Sequence, residues 1–542
     1  FFRRDQTLSE LENSTMMSWV KVDNGSNGGV VMGQDNYRIF IDGAGKLKTS
    51  STTAMPPPPP TPVNYNLHMY DSYGDSWSGG KVEISVAGVA IPGSPFSLPS
   101  GPDLVVPFTV YSSDVVDVEW IAGTYPGEMR IMITDSSGSE IIEYTDNTPT
   151  TSNTKVYQFT VPGSNDPVFV TNVTNDSDAV VIPNDIWVHL AAVYNGTDGT
   201  VKNYVNGELM WTETGVGSYL NKDFDNFEVG RNSRDKNNYF EGSIMEVRVY
   251  DVALTENQLR EQIYQPIEEK DGKVHGSVIP KDIDGGTLDW DDLVGYYKMD
   301  STFLPGTVED LSDSELSGAV FRMTDVQDTN APLPYVANTS GKWTDIPSWE
   351  HGAVWDITDV ANNKDWAIVQ LTNGSQLYTN NSHTLLGALL DTGTELSVRH
   401  DDYIYDYNDA NYDNEVGEVL NITSYFKLEG FLDLEGGSQL VQGLGSVLVT
   451  SSTGYLERDQ QGKSNIYSYN YWSSPVYTRE VSGDKIFSVA EVLKSGILPS
   501  SPKDITFASA SQDGSTTGEI MTVADYWIWK YSSQPGAYAN WQ

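Results

Sequence analysis

The run Pro56-Pro-Pro-Pro-Pro60, followed by Thr61-Pro62, constrains this chain more than any other stretch. Consecutive prolines fix φ and supply no amide donors, so they form a stiff extended spacer that cannot pair inside a sheet. Before the spacer lie three strand-like runs, around Met16 to Val22, Val30 to Met32 and Tyr37 to Ile41, separated by Gly- and Asn-containing turns. They read as a sandwich that has only begun. Its remaining strands appear after Asp166, at Trp187 to Tyr194, Tyr204 to Gly207 and Phe240 to Tyr250. The intervening residues, Asn64 to Val161, carry their own strand-like runs at Val82–Val86, Val115–Trp120, Met129–Ile133 and Val156–Val161. Surface loops tolerate insertion, and domain termini often lie close together. We therefore expect a discontinuous sandwich with Trp19 and Trp187 in one core, interrupted by a separate β domain.

Composition narrows the partners. The 542 residues exceed one hydrophobic core and suggest roughly three or four units. The chain has 75 acidic against 32 basic residues, net −43, which repels nucleic acid and anionic lipid and favours cations. It contains no cysteine, so disulfides, thiolate metal sites and Cys nucleophiles are excluded. No apolar run reaches the roughly 20 residues that span a bilayer, so direct membrane insertion is not expected. The absence of an initiator Met reads as a mature or excerpted part of a longer secreted protein.

The stretch Phe240 to Gln262 organises the sandwich. Ile244, Val247 and Val249, with Met245 and Tyr250 between, suit a strand packed on both faces. Thr255 and Gln258 then form a capping box for a short helix that aligns Leu259 and Ile263. Together with Trp187-Val-His-Leu-Ala, Tyr204-Val-Asn-Gly207, Gly230-Arg231 and the opening Thr15-Met-Met-Ser-Trp-Val-Lys-Val22, these residues resemble a laminin-G-like, concanavalin-like β-sandwich. Within the insert, Tyr70-Asp-Ser-Tyr-Gly-Asp-Ser-Trp-Ser-Gly-Gly80 resembles an Asp-Ser-Tyr-Gly-Asp-Gly-Trp-Asn-Gly signature of secreted Bacteroidota proteins, with Ser76 and Ser78 replacing Gly and Asn.

The expected architecture is all-β and multidomain: a concanavalin-like β-sandwich with an inserted β-sandwich, then a β-solenoid-like region and a further β module. Residues 1–54 and 164–267 form the two halves of the sandwich and 55–163 the insert. Residues 268–331 read as linker and short strands, with the polar stretch Glu268 to Asp292 as the linker proper. Short strands separated by Gly or Asn-Gly steps suggest a right-handed solenoid over 332–453, with a sandwich as the alternative. Residues 454–542 form a C-terminal β module, expected to be truncated; its stretch Gly454 to Trp529 resembles the region before the sorting domain of proteins exported by type IX secretion, several of which are gliding-motility adhesins.

Catalytic patterns are missing. No Glu-x-Asp-x-x-Glu run provides the carboxylate pair of a retaining glycosidase, and Glu228 and Glu246 read as single, solvated positions. The six histidines, His68, His189, His275, His351, His383 and His400, make no His-x-x-x-His pair, and His189 reads as structural. No Gly-x-Ser-x-Gly, phosphate loop or dinucleotide fingerprint occurs either. An enzyme is not expected.

Acidic turns carry more chemistry. Asp71 and Asp75 flank Gly74, a spacing that lets carboxylates and loop carbonyls converge on calcium with Trp77 covering the site, or serves a hairpin whose Asp side chains cap amides while Trp77 fills the core. Asp401, Asp402, Asp406, Asp409 and Asp413 lie among tyrosines as a second acidic loop. Asn232, Arg234, Asn237, Asn238 and Tyr239 form a polar loop before the closing strand, suited to the rim of a carbohydrate site. The resemblance implies an extracellular or outer-surface adhesin that binds glycans or other surface ligands, with calcium as candidate cofactor and the type IX machinery as export partner. Alternative readings are the accessory binding region of a polysaccharide-degrading enzyme and a structural stalk or filament.

Overall fold

Strand Asn13–Val22 alternates its side chains between two apolar environments, Met16 and Val20 on one face and Met17 and Trp19 on the other, so it must be covered on both. In the computed structural model it lies mid-sheet. Trp187–Asn195 pairs with one edge and Gly242–Tyr250 with the other, both antiparallel. The described residues are 2–4, 8–55, 59–121, 123–145, 154–163, 168–222, 225–231, 238–300, 306–322, 329–351, 365–400 and 417–460, with shorter stretches at 469–472, 478–479, 485–486, 488–496, 502–508, 520–529, 531–532 and 540–541.

The first sandwich sheet runs Glu208–Thr214, Thr200–Val205, Trp187–Asn195, Asn13–Val22, Gly242–Tyr250, Leu293–Tyr297. The facing sheet runs from Val168–Val173 through Lys46–Met55, Tyr37–Ile41, Gly29–Gln34 and Phe227–Val229. Strands from before and after the insert thus interleave in both layers. Val188, Leu190, Val247 and Val249 meet Ile39, Leu47 and Phe227 between the sheets, while Trp19 and Trp187 share the core on the outer face of the first sheet.

The insert leaves and returns at one edge. Met55, the last residue before the prolines, pairs with Val168, which opens the strand after the insert. Two four-stranded antiparallel sheets build the insert, one centred on Val115–Ile121 and Lys81–Val86, the other on Met129–Asp135 and Pro62–Asp71. Its buried residues, among them Trp77, Trp120, Leu67 and Ile131, form a cluster of their own.

The capping box at Thr255 and Gln258 is present, and the helix Glu256–Arg260 it starts buries Leu259. The expected linker beyond it is not one. Residues 267–292 fold into the hairpin Ile267–Lys270 with Lys273–Gly276 and bury Val274, Ile279, Ile283, Leu288 and Trp290. The next strand, Leu293–Tyr297, becomes the sixth of the first sandwich sheet, with Tyr296 in the outer core and Tyr297 between the sheets. The physical reason is that each apolar residue of this polar stretch enters the core singly, from a short strand, bends and single 3-10 turns, without any periodic face.

From Tyr335 to Arg458 the strand pairing is parallel. One sheet stacks Tyr335–Ala337, Ile368–Leu371, His383–Leu390 and Val419–Leu428; the other stacks Gly341–Lys342, Gln376–Thr379, Glu395–Val398, Phe431–Leu434 and Tyr455–Arg458. This is a solenoid, and its core is continuous with the outer face of the sandwich. Rings mark the path: Trp19 to Tyr264 at 5.5 Å, Tyr264 to Tyr335 at 5.0 Å, Tyr335 to Trp349 at 5.8 Å, and Trp349 to Trp343 at 5.1 Å. Trp366 of the solenoid donates its indole N–H to the Asn206 carbonyl of the sandwich at 2.9 Å, beneath the Arg260 guanidinium.

Candidate functional site

The Asp71–Gly80 loop of the insert brings side chains from two segments together. Asp71 ends the strand Pro62–Asp71, and its partner Met129 follows the single turn Pro126–Glu128. Ser72 donates its amide to the Glu128 carbonyl at 3.0 Å, which locks the two loops side by side. Gly74 has φ of +74°, a conformation that L side chains resist, and this reverses the chain so that Asp75 comes back toward Asp71. Asp71, Asp75 and Glu128 each place one carboxylate oxygen within 4.8 Å of the others; among the described residues this is the one such group of His, Asp and Glu.

Asp71 is 3% exposed, and its two oxygens accept from the amides of Tyr73 at 2.9 Å and Ser76 at 3.0 Å. Asp75 also accepts from Ser76, at 2.9 Å. The carboxylates thus cap local amides and also converge. Reduced access to water, then the charges of Asp75 and Asp71, raise the pKa of Glu128 above its ordinary value. A divalent cation would relieve that repulsion. The donor set fits calcium: three hard oxygens from side chains, with loop carbonyls and water available to reach six to eight. Trp77 does not cover this cluster. It is buried in the core of the insert, 5.6 Å from Trp120, with its indole N–H on the Tyr70 carbonyl. The rings carried by the two acidic loops are instead Tyr73, 79% exposed, and Tyr125, 57% exposed. Glu128 escaped sequence reasoning because nothing local couples it to the Asp-Ser-Tyr-Gly-Asp stretch; the antiparallel register alone does so.

Of the loop before the closing strand, Asn238 and Tyr239 are described, while Asn232, Arg234 and Asn237 lie outside the described residues, as do Asp401, Asp402, Asp406, Asp409 and Asp413. Tyr239 lies between two guanidiniums: Arg322 donates to its hydroxyl at 3.1 Å, and Arg231 stands 5.9 Å from the ring.

Glu228 and Glu246, expected to be solvated, are buried and paired. Glu228 accepts from Arg231 at 2.8 Å, and Glu246 pairs with the buried Arg248. Arg248 also donates to the backbone carbonyls of Gln262 and Gln265. The structure therefore turns both carboxylates into braces, with Glu246 holding the Arg248 that ties the closing strand to the turn after the helix. His189 is buried against Trp19 at 5.5 Å, and burial, then Arg248, pushes its pKa well below the usual value, so it is a neutral core residue.

Residues 124–260 match the laminin-G-type model of the concanavalin A-like lectin/glucanases superfamily, so the chain carries a domain of that class. Its sandwich is completed by residues 13–55, ahead of the matched span. No protein of curated function matches in sequence. Similar solved structures include a candidate carbohydrate-binding protein of Bacteroides ovatus, 15% identical with a TM-score of 0.28 over 61% of this chain and 58% of that one. Another is the pentraxin of Limulus polyphemus, 11% identical with a TM-score of 0.14 over 45% and 80% of the two chains. A third is domain 4 of a Geobacillus stearothermophilus arabinanase in complex with arabinotriose, 16% identical with a TM-score of 0.13 over 45% and 85%. The chain thus spans little more than half of the first of these.

Proposed function

We propose that this chain is the ligand-binding part of an extracellular adhesin that holds surface glycans in a calcium-dependent way. The observation that carries the reading is the convergence of Asp71, Asp75 and Glu128 on loops that also bear the exposed rings of Tyr73 and Tyr125. A bound calcium offers coordination positions to vicinal hydroxyls, and aromatic faces stack on the C–H faces of a sugar. The lectin-type class of the sandwich supports the same ligand chemistry, with Asn238 and Tyr239 at its candidate rim. Export by the type IX machinery and service in gliding motility belong to this proposal, supported by the resemblance of residues 454–529 to such proteins. Among the described residues no helix is long and apolar enough to cross a membrane. The chain is proposed to have no hydrolytic activity of its own.

The test is retention of the purified chain on an array of bacterial and plant surface glycans, in calcium and in chelator. Binding that requires calcium and is lost in Asp71→Asn and Glu128→Gln supports the proposal. Binding equal in both buffers removes calcium from it, and release of reducing sugar from the array would replace an adhesin with an enzyme.

A further inference from the structure

One column of the solenoid takes a residue from each strand of a sheet, in parallel register: Lys342, Tyr378, Ser397, Asp433 and Glu457. Leu432 and Leu434 enter the core, so Asp433 between them belongs to the outward face. Paired strands lie about 4.8 Å apart, so the last two tiers hold carboxyls side by side where the earlier tiers hold a cation, a ring and a hydroxyl.

Further carboxylates close in on this pair. Glu395 lies in the adjacent column, in register with Phe431, which is itself in register with Tyr455. Glu435 and Asp459 follow the stacked pair two residues on; Glu435 accepts from the Ser397 hydroxyl at 2.9 Å, and Asp459 accepts from the Gly436 amide at 3.4 Å. The cations of these strands are engaged or placed elsewhere: Arg399 stands 3.9 Å from the Tyr378 ring, and the exposed Arg458 is in register with Leu434.

The strand that bears Glu457 is lightly held. Tyr455–Arg458 ends its sheet, and among the described residues no strand pairs beyond it. Leu456 is only partly buried, whereas Leu432 and Leu434 of the preceding strand are buried. What grips it is the Phe431–Tyr455 ring stack at 4.3 Å, with the amides of Tyr455 and Asp459, which donate to the Gly430 and Leu434 carbonyls at 3.0 and 3.2 Å.

We infer that Tyr455–Arg458 is a proton-held latch: it docks as the last rung while Asp433 and Glu457 carry a proton between them, and it detaches when both ionise. Two stacked carboxylates repel, and where both are half-buried water screens them poorly. Burial, then the surrounding carboxylates, accordingly pushes Asp433 up to about 8 and Glu457 up to about 7. Both acids are raised by docking, so the docked rung binds more protons than the detached one. Its stability is full near about pH 4 and falls as pH climbs to about 8. Detachment returns Glu457 and Asp459 to water and leaves the edge of Phe431–Leu434 open, so the solenoid ends closed in acid and open in alkali.

The test is hydrogen exchange of the full chain at about pH 5.5 and about pH 8.5, in chelator so that no divalent ion bridges the carboxylates. Protection of residues 455–459, taken relative to the unfolded chain at the same pH, should fall by about tenfold or more between the two. That of His383–Leu390, inside the same solenoid, should change by less than about twofold. Asp433→Asn/Glu457→Gln should keep the rung docked at both pH values. Equal protection of residues 455–459 at both pH values, an equal fall at His383–Leu390, or a fall that persists in the double variant would overturn the inference. The first two outcomes need only the unsubstituted chain, so the latch can fail even where the variant does not fold.

Discussion

The sandwich carries two neighbours and is joined to them in opposite ways. The insert has a closed core of its own, is reached through a proline spacer, and returns beside its point of departure at Met55 and Val168. Among the described residues the solenoid has no separate core. Its Tyr335, Trp349 and Leu385 belong to the same buried cluster as Trp19, Trp187 and Tyr264 of the sandwich and its helix. An independent core can open without disturbing its neighbour, whereas a shared one couples them. The difference sets an insert with its own core beside two units that share one.

The contrast is broken most sharply at the shared core. Trp19 is fully buried and donates its indole N–H to the Ile263 carbonyl at 2.9 Å. Trp19→Ala should cost about 3–5 kcal/mol. In calorimetry the sandwich and solenoid transitions should fall together while that of the insert stays in place. A solenoid transition that stays put would separate the two units.

A smaller effect should appear in the insert alone. Calcium at one hundred times its dissociation constant adds about 2.7 kcal/mol to a domain that binds it only when folded. Its transition should therefore rise by several degrees in calcium and return in chelator, and Asp71→Asn, Asp75→Asn or Glu128→Gln should each abolish the rise. Identical melting in both buffers would leave the loop as a hairpin stabilised by its own amides.

The solenoid should respond to pH in its own way. Asp433 and Glu457 stand directly opposite in the parallel register. Burial, then Glu435, Glu457, Asp459 and Glu395, pushes Asp433 from 3.8 up to about 8; burial, then Asp459, Glu395 and Glu435, pushes Glu457 up to about 7. A carboxyl raised in the fold is still protonated where the unfolded chain has ionised. The folded state therefore binds more protons between about pH 4 and 8, and stability falls as pH climbs through that window. Asp433→Asn should stabilise the solenoid by about 2 kcal/mol at pH 8 and by little at pH 4. Equal effects at both pH values would contradict the stacked-carboxylate account.

The smallest effect expected is at the helix that joins the two. Thr255→Ala removes the hydroxyl that accepts from the Gln258 amide, a loss of about 1 kcal/mol. Because Leu259 and Ile263 of this turn lie in the shared core, that loss should lower the sandwich and solenoid transitions equally.

Much of this arrangement can be read in the residues. Thr255 and Gln258 announce their cap, and Ile244, Val247 and Val249, with Met245 and Tyr250 between them, announce a strand packed on both faces. The Gly and Asn-Gly steps after Gly341 announce short stacked strands. What could not be read are relations between distant segments. Val274, Ile279, Leu288 and Trp290 have no common period, so a stretch that forms the joint reads as a linker. Glu228 and Glu246 look solvated by residue type until Arg231 and Arg248 are found folded against them. Two of the three carboxylates of the acidic cluster are legible in Asp71-Ser-Tyr-Gly-Asp75, but Glu128 arrives through strand register, which local pattern does not encode.

The most direct test of the coupled scaffold is native-state hydrogen exchange of the full chain in rising, subdenaturing urea. Amides of Trp187–Asn195 in the sandwich and of His383–Leu390 in the solenoid should converge on a single opening free energy with a single urea dependence. Those of Met129–Asp135 in the insert should follow a separate line. If the solenoid amides open on a line of their own while the sandwich stays protected, the two units do not share a core in any energetic sense.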